Sequence, residues 1–172
     1  MSTLNPFLLS YQETGKYCER KQDFEKIKTL LKNEQTGIIT GLKGIGKSNL
    51  LYRLETELTS GNNNINIFYI SIYPVADIAG FICLLARQTL GRSSTDHLKR
   101  MREISNFFTH LRPVINYHPL SGKAELDFTL MEGYNAEHTI EQIFSFLDKQ
   151  YKEILVIIDD VQQLGIRREI TL

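Results

Sequence analysis

The sequence predicts an α/β fold, a parallel sheet flanked by helices, and three observations carry that prediction. First, GLKGIGKS at residues 41–48 matches the phosphate-binding pattern GxxxxGK[ST] at every specified position. Second, a short β-branched run precedes it and an apolar stripe at helical spacing follows it, in the strand–loop–helix order that this motif needs. Third, residues 154–158, ILVII, form an unbroken aliphatic run that ends in Asp159 and Asp160. Such a run suits a strand covered on both faces in a parallel sheet.

The elements follow in order. Residues 1–22, with Asn5-Pro6-Phe7 and a break at Gly15, read as a lead-in without regular structure. A core over 23–91 begins with a helix to Lys32, with Asp23 as its N-cap and Phe24, Ile27, Leu30 and Leu31 as its stripe. A strand is expected over 37–40, then the loop, then a helix from Ser48 to Thr59 with Leu50, Leu51, Leu54 and Leu58 inward. Gly61 and three asparagines make a turn, and the dense run from Ile65 to Ile72 is a strand stopped by Pro74. Residues 77–90 form a helix with Ile78, Phe81, Ile82 and Leu85 inward and Gly91 beyond its end.

Residues 95–131 read as an insertion of one helix and a β-hairpin. Leu98, Met101, Ile104, Phe108 and Leu111 keep helical spacing, and Lys99, Arg100 and Arg102 lie off that stripe on a solvated face. Beyond Ser121-Gly122 the period changes to two: Ala124, Leu126, Phe128 and Leu130 alternate with Glu125, Asp127 and Thr129. A last unit over 136–164 holds a helix with Ile140, Ile143, Phe144, Leu147 and Tyr151 on one face, and then the aliphatic strand.

The candidate nucleotide-binding residues are Gly41, Leu42, Lys43, Gly44, Ile45, Gly46, Lys47 and Ser48, with Asn49 on the first helical turn. Glycines allow positive φ and let backbone N–H groups close around a phosphate, and the following helix aims its positive end at the same anion. Lys47 would reach the β- and γ-phosphates, and the Ser48 hydroxyl would sit on Mg²⁺. Asp159 is the second expected metal ligand, at the carboxyl end of a buried strand where ligands bind in open α/β sheets. Asp160 is the candidate catalytic base, placed to orient or deprotonate water. No NKxD motif follows, and Asp160 does not start a DxxG switch, so ATP is favoured over GTP. The histidines form no HExxH or other close ligand pair.

Composition narrows the classes further. A length of 172 residues suits one domain with a substantial core, and equal numbers of acidic and basic residues offer no electrostatic case for nucleic acid or an anionic membrane. Two cysteines far apart suggest neither a zinc site nor a disulfide framework. No apolar run approaches the ~20 residues that span a bilayer, and the N-terminus has no secretory pattern, so the expected location is the cytoplasm.

These residues resemble the N-terminal part of an AAA+/STAND-type P-loop ATPase of the archaeal-ATPase and origin-recognition-like group. The resemblance rests on Asn5-Pro6-Phe7, on residues 17–23 (YCERKQD), on the glycine loop as Walker A, on the hairpin, and on ILVIIDDVQQL as Walker B. It implies ATP with Mg²⁺ as cofactors, Arg20 near the adenine, and ATP hydrolysis. It also implies a protein partner or the rest of a longer chain, and DNA association by analogy alone. The group has Glu after the Walker B Asp where this chain has Asp160, one methylene shorter. Displacing a base by about an ångström can cost on the order of a hundredfold in rate, so hydrolysis is expected to be slow. The alternatives are a nucleotide-dependent switch or interaction module without turnover, or a truncated remnant of a larger ATPase.

The group's sheet order, 5-1-4-3-2, sets a sensor strand between the loop strand and the Walker B strand. Residues 161–172 cannot supply it together with a lid, so the domain is expected to be C-terminally incomplete. Three solutions stay open: completion by a longer chain or another molecule, insertion of the tail as a substitute strand, or an inward shift of the Walker B strand.

Overall fold

The computed structural model describes residues 21–61, 65–73, 75–91, 97–117 and 124–164, and the chain divides into two compact units, residues 1–62 and 63–172. The NPF segment, Arg20, the turn of the expected hairpin and residues 165–172 lie outside the described residues.

The first unit holds helices α1 (Lys21–Lys32) and α2 (Lys47–Ser60) around the glycine loop. α1 starts ahead of Asp23, which sits in its first turn rather than at its cap. Its C-terminus is closed by two bonds: Glu34 N–H donates to the Leu31 carbonyl at 3.0 Å and Gln35 N–H to the Leu30 carbonyl at 3.0 Å. This pair is a Schellman closure, with Glu34 at φ 55 in the left-handed position that glycine usually takes. Buried Phe24 on α1 lies under two cations, Lys28 Nζ at 4.4 Å and Arg53 at 4.9 Å from its ring centre. Glu57 on α2 accepts from both, at 3.1 Å from Lys28 and 3.0 Å from Arg53. α2 buries Leu50 and Leu54, as its stripe predicts.

The expected strand over 37–40 is a correction. Residues 35–42 run without regular structure, belong to neither sheet, and leave Ile38 87% exposed. A β-branched tetrapeptide has strand propensity but becomes a strand only through a hydrogen-bonded neighbour.

The second unit runs β1 (Ile65–Ser71), α3 (Ile78–Leu90), α4 (His97–Phe107), β2 (Leu111–Tyr117), β3 (Ala124–Leu130), α5 (Ala136–Asp148) and β4 (Glu153–Asp159). β1 and β4 pair in parallel, Phe68 opposite Val156 and Ser71 opposite Asp159. That is the adjacency the resemblance implies for the acidic strand and its outer neighbour. Phe68, Ile70 and Ile72 alternate onto one buried face and join the core with Phe81, Ile82 and Leu85 of α3 and Ile143 and Leu147 of α5. α3 and α5 begin on side-chain caps, Asp77 accepting from Gly80 N–H at 2.8 Å and Asn135 from His138 N–H at 2.9 Å.

β2 and β3 form an antiparallel pair, Leu111 opposite Leu130 and Ile115 opposite Leu126. α4 therefore ends at Phe107, and Leu111 belongs to a strand rather than to the end of that helix. The apolar stripe could not separate the two assignments, because Phe108 and Leu111 are buried in either. A second correction concerns Arg100, which is 6% exposed and not on a solvated face. Its guanidinium lies 5.1 Å from the Phe146 ring centre, and the stem buries with it.

Candidate functional site

The site residues fall into two groups, one in each unit. In the first unit, Gly41, Gly44 and Gly46 have φ of 154, 85 and 85, conformations closed to most side chains. Gly46 is the residue before α2, and no side-chain hydrogen bond caps that helix. A Cβ at Gly41 would run into Ile45 Cδ1, whereas Gly44 and Gly46 have open space where a Cβ would stand. Lys47 Nζ folds back and donates to the carbonyls of Gly41 at 2.9 Å and Leu42 at 3.0 Å. Ser48 and Asn49 follow on the exposed side of the first helical turn, and Leu42 and Lys43 are exposed on the loop.

In the second unit, Asp159 closes β4 and Asp160 follows at φ 62. Left-handed backbone is tolerated by Asp better than by most residues, because its short side chain bonds locally. The two Asp159 oxygens have different partners: Oδ1 accepts from Asp160 N–H at 2.9 Å and Oδ2 from the Tyr69 hydroxyl at 2.7 Å. Asp160 Oδ1 accepts from Gln162 Nε2 at 3.2 Å, in the 3₁₀ turn Val161–Leu164.

Sequence reasoning missed Tyr69. Nothing in a β-prone run distinguishes one tyrosine, and only the parallel register brings it to the acidic end of β4. Among the described residues, no three His, Cys, Asp or Glu side chains cluster as a metal site. Mg²⁺ does not require one, since it characteristically takes one or two protein oxygens together with substrate phosphates and water. The Asp159 carboxylate of the second unit is a hard oxygen donor of that kind, and so, by itself, is the Ser48 hydroxyl of the first. No helix among the described residues is long and apolar enough to cross a membrane.

The glycine loop opening a helix, in one unit, and the parallel pair whose β4 ends in adjacent acids, in the other, are compatible with an α/β domain of the P-loop kind. The match to a family model is more particular: residues 17–171 fit the ATPase domain predominantly from Archaea, and the chain belongs to that family. No curated protein and no solved structure matches the chain.

Proposed function

We propose that this ATPase-type domain binds ATP with Mg²⁺ and hydrolyses it slowly. The observation that carries the reading is the glycine loop, whose left-handed residues lead into an α2 N-terminus without a side-chain cap. Backbone N–H groups there would turn to phosphate oxygens, with the helix dipole in support. Lys47 already rests on the carbonyls of Gly41 and Leu42, and its ammonium would add phosphate oxygens as partners. Ser48 and Asp159 would hold the cation, which supplies charge neutralisation on the β- and γ-phosphates when bound. Asp160 would orient the attacking water. Arg20 would lie near the adenine. The helix α4 and the antiparallel pair β2–β3 are an insertion between the loop and the acidic strand.

Calorimetric titration of Mg²⁺·ATP into wild type and Lys47→Ala, followed by an assay of phosphate release, tests this. Saturable binding in wild type that the variant loses is the expected result; equal heats from both would sink it. A second reading, a nucleotide-dependent switch without turnover, is favoured by Asp160. Its carboxylate is one methylene shorter than the group's glutamate and is engaged by Gln162 at 3.2 Å. Binding without phosphate release would select that reading.

A further inference from the structure

We propose that Tyr69 is a positioning residue for the Asp159 carboxylate, its hydroxyl holding that group in the orientation in which it meets Mg²⁺. The inference rests on the reading of Asp159 as a metal ligand and adds a residue that no motif contains.

The geometry begins with the strands. Ser71 stands opposite Asp159 and Tyr69 opposite Ile157, so Tyr69 and Asp159 share one face of the parallel pair, one diagonal step apart. Only a long side chain spans that step, and the phenol does so with its oxygen 2.7 Å from Oδ2. The Asp159 backbone is held as well, since its carbonyl accepts from Ile72 N–H at 3.1 Å and extends the ladder past the last paired residue. Oδ1 is held by the Asp160 amide at 2.9 Å. Backbone and both carboxylate oxygens are therefore fixed.

Being held does not exhaust the carboxylate. Its two oxygens offer about four lone-pair sites, and the two hydrogen bonds leave about half of them for a cation. An O–H donor to a carboxylate is among the stronger hydrogen bonds, and it also restrains rotation about the Cβ–Cγ bond. Tyr69 stands in β1 between Phe68 and Ile70, whose side chains, 4% and 1% exposed, anchor the opposite face in the core, so the donor stands on a packed strand rather than on a loop. Partners of this kind orient metal ligands, and their loss usually weakens metal binding by ten- to a hundredfold.

The opposite role is equally concrete: a hydroxyl on Oδ2 could compete with the cation, and its removal would then ease metal entry. The direction of the effect separates the two. ATP binding to the full 172-residue chain is measured by calorimetry across a magnesium series, for wild type, Tyr69→Phe, Asp159→Asn and the double variant. Tyr69→Phe should raise the half-saturating Mg²⁺ about tenfold, leave magnesium-free ATP binding unchanged, and add nothing in the Asp159→Asn background. A wild-type or lowered magnesium requirement in Tyr69→Phe, with a raised one in Asp159→Asn, overturns the positioning role alone. An unchanged requirement in Asp159→Asn removes the metal-ligand reading and the role of Tyr69 with it. Tyr69→Met, which also lacks the hydroxyl but keeps apolar bulk, replaces Tyr69→Phe should that variant fail to fold.

Discussion

Arg100 and Gln150, fifty residues apart, are joined by a hydrogen bond of 2.6 Å from Nη2 to Oε1, while Arg100 Nε donates to the Leu90 carbonyl at 3.2 Å. One guanidinium thus ties α4 to the C-terminal end of α3 and to the turn after α5. Burial pulls its pKa below the ordinary guanidinium value, with Tyr151 and Glu103 opposing that shift. Arg100→Ala should destabilise the chain by about 2–3 kcal/mol, since it takes the donor from the buried Leu90 carbonyl and empties the space over Phe146. Arg100→Lys should recover little, because an ammonium cannot reproduce the planar fork. Urea unfolding of the three proteins measures both.

Glu34 gives a prediction of the opposite sign. It adopts φ 55 at the end of α1, where a residue with a Cβ pays about 1–2 kcal/mol and glycine does not. The greater freedom of glycine in the unfolded chain returns part of that. Glu34→Gly should therefore stabilise by about 0.5–1 kcal/mol, visible as a higher denaturation midpoint with an unchanged slope.

At Asp160 stability and chemistry should separate. Glycine accepts φ 62 freely, so Asp160→Gly should change stability by no more than about 0.5 kcal/mol. Under the proposed function it removes the base, and phosphate release should fall by about a hundredfold while ATP affinity stays. A variant that releases phosphate at the wild-type rate would exclude Asp160 from the reaction.

The ion pairs of Glu57 predict a pH window. Partial burial works to raise its pKa, but the hydrogen bonds and charges of Lys28 and Arg53 prevail and hold it below the ordinary carboxylate value of 4.5. A depressed folded pKa contributes stability that is present above the unfolded value and lost as pH falls through the folded one. With Glu57 38% exposed, solvent screening limits the contribution to roughly 0.2–1 kcal/mol. Melting temperatures of wild type and Glu57→Gln should differ near neutral pH and converge as pH falls through the depressed folded pKa of Glu57.

The local signals in the sequence carried well into the structure. The helix expected over 77–90 is α3, Leu50 and Leu54 are the buried stripe of α2, and the loop glycines take positive φ. Each depends on neighbours within a few residues, which is why a motif or a period can announce it. Where two assignments bury the same residues, as at Phe108 and Leu111, the period was silent, and the start of β2 followed from its pairing with β3.

By itself the sequence determined the family, the phosphate-binding pattern, the aspartates at the end of an aliphatic strand, and most helices with part of their inward faces, Ile78 and Phe144 being exposed instead. Only the tertiary structure decided that residues 37–40 form no strand, that Arg100 is buried, and that Tyr69 reaches Asp159 across ninety positions of chain. The reason is physical: helix faces and caps are set by contacts three or four residues apart, whereas strand pairing and register are chosen by whole faces packing together.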